Sequence, residues 1–348
     1  NWHQVLVFPG NRLPGHSVYS VPFRSFRQSD LLASPGRNHF LFRQYLRFNL
    51  FKSTRRRIFI ESIRTHYPDR WLVDDPRMDC VVVPGNPFEK AMKFSATILG
   101  SGTSQGIPVI ACECHVYTSS DPKDDRLRCS VLLEIHGKNY VIDAGPDFRQ
   151  QMLRFQVKSL EAVLFTHEHK DHVAGLDDVR AFNFLENRDM DIYCSKEVEI
   201  ALRREFHYAF QEDKYPGIPQ LNILTIENKP FDLSGIIPVV PVQVMHYFMP
   251  VFGFRIGDFA YITDAKTVDP QEIEKLHGLK VLVVNALRKE QHISHFNLEE
   301  ALDFIAKVQP EKAYLTHISH LFGTHEEIER ELPPNVFAAF DGLKLEFE

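Results

Sequence analysis

Long apolar runs are missing from this chain: none approaches the roughly 20 residues that cross a bilayer as a helix, so no membrane partner is expected. Cysteine is scarce, five in 348 residues and odd in number, which argues against a disulfide scaffold and for a reducing compartment. The first residues lack the charged region, long apolar core and small-residue cleavage site of a secretory signal. A cytoplasmic location is therefore the expectation. The small-residue loop Gly100-Ser101-Gly102-Thr103-Ser104-Gln105-Gly106 lacks the Lys-Ser/Thr ending of a phosphate loop, which excludes that class of nucleotide binding. No internal repeat and no low-complexity segment stands out. What remains is ordinary globular composition, 44% hydrophobic and 25% charged. The length suits one large domain with an appendage, or two modest domains.

A net charge of −6 conceals a division. Residues 1–91 hold 14 Lys+Arg, 12 of them arginine, against 7 Asp+Glu, a balance of +7; residues 92–348 hold 26 against 39, a balance of −13. The first segment keeps neither helical nor strand periodicity. Residues 40–51 suit a short helix, and Arg55-Arg56-Arg57 can be read as a nucleic-acid or targeting patch. The reading preferred is an N-terminal extension, foreign to the rest or weakly folded. Regular patterning starts at Met92-Lys93-Phe94.

From there strands are expected over 94–99, 130–135, 140–142, 162–165, 191–194, 239–244, 252–256, 259–263, 281–284, 313–316, 336–340 and 343–347. Helices are expected after Asp147, which reads as an N-cap, and over 173–184, 196–208, 271–277, 298–308 and 326–331. Residues 209–235 read as an irregular surface excursion beside a cleft. Meanders of strands separated by helices imply two packed sheets with helices outside, an α/β fold.

The chemistry concentrates in Phe165-Thr166-His167-Glu168-His169-Lys170-Asp171-His172. It follows a buried strand, and open α/β sheets place their chemistry at strand C-terminal ends. Alternation puts His167 and His169 on one side of an extended loop, while Asp171 and His172 begin a turn and can face a second centre. Imidazole and carboxylate without thiolate suit zinc, manganese or iron. A solvated polar loop is the bland alternative, and so many ligand types in six residues argue against it. His246, Asp264 and His317 recur in the same position, each at the tip of an apolar strand. Singly, each is an ordinary cap or core residue. Together they complete a set for two divalent ions about 3.5–4 Å apart, with a carboxylate such as Asp264 able to bridge.

These residues make the chain resemble the metallo-β-lactamase superfamily, whose HxHxDH signature stands here as His167, His169, Asp171 and His172. The resemblance covers residues 92–348 and implies an αββα sandwich with a dinuclear metal cleft. It implies that His167, His169 and His246 hold one ion, that Asp171, His172 and His317 hold the other, and that Asp264 bridges. Aspartate rather than cysteine at 264 places the chain among the phosphodiesterase and thioesterase branches. The Gly100–Pro108 loop (100–108), Cys112-Glu113-Cys114 and Leu315-Thr316-His317-Ile318-Ser319-His320 are similar to the cyclic-phosphate phosphodiesterase of phosphonate utilisation, a cousin of ribonuclease Z. That family binds a third, structural zinc through Cys-x-Cys-x-x-Cys and a histidine. Here Cys112, Cys114 and His320 match, but Tyr117 stands at the third cysteine position, leaving Cys129 or His115 as substitutes, or an empty site.

A large polyanion needs a basic surface for counterion release, and the −13 balance of residues 92–348 opposes one. The expected substrate is a small phosphodiester, of the cyclic ribose phosphate or nucleotide type. A glyoxalase-type thioester hydrolase, a tRNA 3′-processing endonuclease and a non-catalytic binding module are the alternatives, and a second copy of the chain is the one protein partner considered. An alkoxide leaves poorly without a proton. Asn297 reads as an N-cap with Glu300 three residues on, which puts His295 in the loop just before a helix. The resemblance makes His295 the proton donor, with His292 as competitor.

Overall fold

The computed structural model describes residues 93–213 and 215–348. The helix expected over 40–51, the Arg55-Arg56-Arg57 run and the boundary at Met92 lie outside the described residues. The strands are β1 Phe94–Gly100, β2 Ser130–Ile135, β3 Lys138–Ile142, β4 Ala162–Leu164, β5 Met190–Cys194, β6 Leu221–Thr225, β7 Phe231–Leu233, β8 Ile237–His246, β9 Met249–Ile256, β10 Phe259–Ile262, β11 Thr267–Val268, β12 Val281–Asn285, β13 Lys312–Thr316, β14 Val336–Ala338 and β15 Lys344–Phe347. One sheet runs β15-β1-β2-β3-β4-β5-β6; the other runs β11-β8-β9-β10-β12-β13-β14, with β7 paired to β8.

The helices are α1 Phe148–Arg154, α2 Lys170–Val173, α3 Arg180–Glu186, α4 Lys196–Glu205, α5 Pro270–Glu274, α6 Leu298–Val308 and α7 His325–Glu331. Residues from both sheets, among them Ile98, Leu133, Phe254 and Val283, form the layer between them. Phe148, Phe182 and Leu202 cover the outer face of the first sheet. Ala301, Phe304 and Leu276 cover that of the second. This is the αββα sandwich. Strands such as β4 and β12 are apolar on both faces because each face meets a separate core. Among the described residues no helix is long and apolar enough to cross a membrane.

Several elements differ from expectation for physical reasons. The helix expected over 173–184 is broken into α2, a 3₁₀ turn at Leu176–Val179, and α3. The break surrounds Gly175, where a Cβ would lie 2.0 Å from the Gly145 carbonyl oxygen. Gly145 in turn lets the Asp171 carbonyl approach, since a Cβ there would sit 2.0 Å from it. Two loops thus abut backbone to backbone, and one of them carries the histidine cluster. Asp147 stands at the start of α1, but its carboxylate does not cap the helix. It accepts instead from the Arg128 amide at 2.8 Å and from the Arg128 guanidinium at 3.0 Å. The helix expected over 196–208 ends at Glu205 and continues as a 3₁₀ turn, His207–Phe210. Residues 209–235 are not irregular throughout, because β6 extends the first sheet parallel to β5. Its half-buried edge pattern hides it from a search for apolar runs.

A buried polar knot ties the loop after β1 to the end of the second sheet. Asp341 accepts from the Ser101 amide and hydroxyl, both at 2.9 Å, and from the Leu127 amide at 2.8 Å. Arg126, fully buried, donates to the same Ser101 hydroxyl at 3.0 Å and to the Ala339 carbonyl. Ser101 therefore links the two charges, donating to one and accepting from the other. Removing Asp341 takes away the carboxylate with the largest hold on buried Arg126, leaving only the lesser effects of Asp124 and Asp121. Asp341→Ala should cost about 3–5 kcal/mol in denaturant unfolding, and a change within about 0.5 kcal/mol, the range of ordinary surface sites, would show that the knot contributes little.

Candidate metal centre

Three strands deliver chemistry-bearing residues at their ends. Asp143 follows β3, Asp264 follows β10 by one intervening threonine, and His317 follows β13. All three adopt left-handed backbone, with φ of 63°, 58° and 56°. Such a conformation costs a non-glycine residue of order 1–3 kcal/mol and clusters at functional sites. His167 leaves β4 in an extended loop, and His169 (φ −63°, ψ 149°) begins α2, which carries Asp171 and His172. The turn therefore separates the two pairs as the alternation implied.

The structure brings His167, His169, Asp171, His172, His246, Asp264, His295 and His317 into one cluster. The rings of His167 and His172 lie 4.1 Å apart, His167 and His169 4.7 Å, His169 and His246 5.1 Å, and His246 and His295 4.5 Å. His295 is 4.7 Å from His317. Asp264 sits between the two groups: one oxygen is 3.3 Å from His172 Nε2 and 3.2 Å from His317 Nδ1, the other 3.5 Å from His295 Nδ1. Asp171 lies 3.1 Å from His172 Nε2. His169 alone among these histidines is exposed, at the lip.

Donor atoms of His167, His172 and Asp264, of Asp171, His172 and His317, and of His246, Asp264 and His295 converge within 4.8 Å in each group. The donor set fits divalent ions on an independent test. The Nε2 atoms of His167 and His317 are buried without a hydrogen-bond partner, which a buried polar atom tolerates poorly, and His172 Nε2 faces only carboxylate oxygens. Tautomers follow from geometry. His246 Nδ1 lies 2.7 Å from the Ser294 carbonyl oxygen and must donate to it, so Nε2 carries the lone pair. His172 Nδ1, 2.7 Å from Asp143, is oriented in the same way.

The electrostatics of the centre express the same crowding. Burial and the neighbouring His172 push the His167 imidazole well below its usual range. Burial opposes ionisation of Asp264, but His317 and His172 beside it hold its carboxyl well below the usual carboxylate range. Burial works against a charge on His172 too, yet Asp171, Asp143 and Asp264 raise it well above the ordinary histidine value. Burial and the adjacent His317 push His295 down to about 3. His292 lies further out, its Nδ1 accepting from the Ser294 amide at 3.3 Å. Asn297 and Glu300 form the expected capping box.

Sequence reasoning missed Asp143, Thr166 and Thr263. Asp143 accepts from the Thr166 amide at 2.9 Å and from its hydroxyl at 2.8 Å while holding His172. The Thr263 hydroxyl donates to Asp264 at 2.6 Å. The signal for Asp143 was present, since it ends an apolar strand as Asp264 and His317 do.

A second cluster joins Cys112, Cys114 and His320, with His320 Nδ1 3.2 Å and 3.5 Å from the two sulfurs. Neither suggested substitute completes it. Cys129 is buried elsewhere, its thiol donating to the Gly102 carbonyl at 3.2 Å, and burial pushes it up to about 12. His115 pairs with Glu327 at 3.1 Å. The Tyr117 amide faces the Cys114 sulfur, but its side chain is exposed.

With this geometry in hand, comparison with known proteins is decisive on family. Residues 138–318 match the family model for the beta-lactamase superfamily domain. A crystal structure of a new diphosphatase from the PhnP family shares 39% identity at a TM-score of 0.69, covering 74% of this chain and 98% of that one. The chain belongs to the metallo-β-lactamase superfamily, in its PhnP family. An octanoyltransferase of Porphyromonas gingivalis (strain ATCC BAA-308 / W83) is 40% identical over 250 residues, 71% of this chain and 50% of the relative. The chain thus spans about half the length of that relative. Zn²⁺-bound PqqB from Methylobacterium extorquens, 19% identical with a TM-score of 0.58, covers 72% of this chain and 99% of its own, and shares the fold.

Two outcomes follow from the site. Asp143→Asn, which weakens the hold on His172, should lower divalent-ion affinity about 10–100-fold in equilibrium dialysis, and unchanged affinity would remove Asp143 from the centre. Zinc at Cys112, Cys114 and His320, short of the fourth N/S donor of a closed site, should be the first ion lost to mild chelation. Three equally retained ions per chain would contradict this.

Proposed function

We propose that this member of a hydrolase superfamily is a dinuclear-metal hydrolase of small phosphodiesters, of the cyclic ribose phosphate or nucleotide type. The observation that carries the reading is Asp264, a buried carboxylate with its two oxygens turned to different histidines within one cluster of unpaired imidazole nitrogens. His167, His169 and His246 would hold one ion, Asp171, His172 and His317 the other, and Asp264 both. Zinc and manganese suit this donor set. Such a pair supplies Lewis acidity toward a phosphoryl oxygen and lowers the pKa of water.

The chain's own residues do the rest. Asp143 and the Ser294 carbonyl fix the rings of His172 and His246. His295, buried against Asp264, is placed to give a proton to the departing alkoxide oxygen. Burial and the adjacent His317 disfavour its charged form, and an anionic phosphate beside it would favour that form. The −13 balance of residues 92–348 favours a small substrate over a long RNA. The PhnP-family relative, a diphosphatase, supports phosphorus chemistry. A second reading, thioester hydrolysis, uses the same ligands. Hydrolysis of S-lactoylglutathione but not of bis(p-nitrophenyl) phosphate would select it.

The test of the proton donor uses His295→Ala with metal content unchanged. Turnover of a diester with an alkyl leaving group should fall about 10²–10⁴-fold. A p-nitrophenyl diester, whose leaving group needs no proton, should lose much less. Equal losses on both substrates, or none on either, would overturn the assignment.

A further inference from the structure

The turn between β8 and β9 is built from unusual residues for its place. His246 pairs with Met249, which leaves Tyr247 and Phe248 as a two-residue hairpin turn. Tyr247 has φ 57° and Phe248 lies outside the left-handed region. That is the pattern of a type II′ turn, whose first central position ordinarily takes glycine. A bulky aromatic there is strained. Phe248 is 77% exposed and Tyr247 48%. Their rings lie 3.8 Å apart, tilted by 48°. Folding explains neither the strain nor the exposed apolar surface, because an Asn-Gly or Gly-led turn closes the same hairpin without either.

Position supplies the reason. The pair directly follows His246, whose ring is hydrogen-bonded to the Ser294 carbonyl. The base of the hairpin turn is thereby tied to the 292–295 loop, in which Ile293 is also exposed. Two exposed aromatic rings therefore follow in the chain directly on His246, a residue of the centre. Resting on the phosphodiester reading, we propose that Tyr247 and Phe248 are the platform on which the planar heteroaromatic base of a nucleotide-type substrate stacks. Stacking suits the place, since exposed rings offer face area without requiring the hydrogen-bond donors and acceptors that reading a base edge would need.

The test uses manganese-loaded protein and two monophosphates, AMP and ribose 5-phosphate, which differ by the base. Calorimetry should give AMP about tenfold tighter binding than ribose 5-phosphate in the unaltered chain. Phe248→Ala and Tyr247→Gly should each erase most of that ratio while leaving ribose 5-phosphate binding unchanged. Tyr247→Gly also relieves the strained φ, so its Tm should not fall and misfolding cannot explain its loss of base preference. Equal binding of the two monophosphates, no binding of AMP, or a ratio that survives both substitutions would overturn the proposal. So would a shift in oligomeric state with the ratio unchanged, which would make the pair an interface between copies. Turnover of a base-free cyclic ribose phosphate and of 2′,3′-cyclic AMP is measured in parallel. Absence of turnover on both overturns the hydrolase reading, whereas turnover of either with no base preference in binding overturns the platform alone.

Discussion

Too many lone pairs and negative charges face one another around Asp264 for this centre to be satisfied by protein alone. Asp143, Asp171 and Asp264 crowd His172, while His167, His172 and His317 each point a buried Nε2 at no hydrogen-bond donor. Carboxylates close together and out of water repel unless positive charge stands between them. Protonating His172 answers part of this, and its raised affinity for a proton is the local sign of the imbalance. Divalent ions would answer all of it, because one charge set would neutralise the carboxylates and use the lone pairs together. The fold holds this unfavourable concentration in place.

Holding it requires rigid surroundings. Asp143, Asp264 and His317 sit at the tips of strands whose last residues are buried on both faces, so small movements of the backbone are resisted by two packed cores at once. Their left-handed backbone conformations are sustained by that packing. Gly145 and Gly175 allow the loop after β3 to press against the loop of α2, which is what brings Asp143 within 2.7 Å of His172. The Arg126–Ser101–Asp341 knot then anchors the first loop of the sandwich from the opposite side.

Most of the centre was legible in the chain because strand-tip chemistry has a local signature, an apolar run ending in a metal-ligand residue. His167 through His172, His246, Asp264 and His317 all carry it. Asp143 carries it too, but its role is a hydrogen bond to a residue 29 positions away, which no local pattern encodes. Asp147 was misread for a related reason. Its capping pattern is genuine, yet Arg128, brought close by the sheet, competes successfully for the carboxylate. The broken helix before α3 escaped because helical periodicity survives across a 3₁₀ turn, while the Gly175 amide donates out of the helix to the Ala144 carbonyl. Strand β6 escaped because an edge strand need not be apolar.

The two-ion arrangement is the claim on which the rest stands. Anomalous diffraction from crystals equilibrated with manganese addresses it without relying on any substrate. The account predicts two peaks with Asp264 within ligand distance of both, one beside His167, His169 and His246 and the other beside Asp171, His172 and His317. A single peak in the centre, or density only at Cys112, Cys114 and His320, would contradict it.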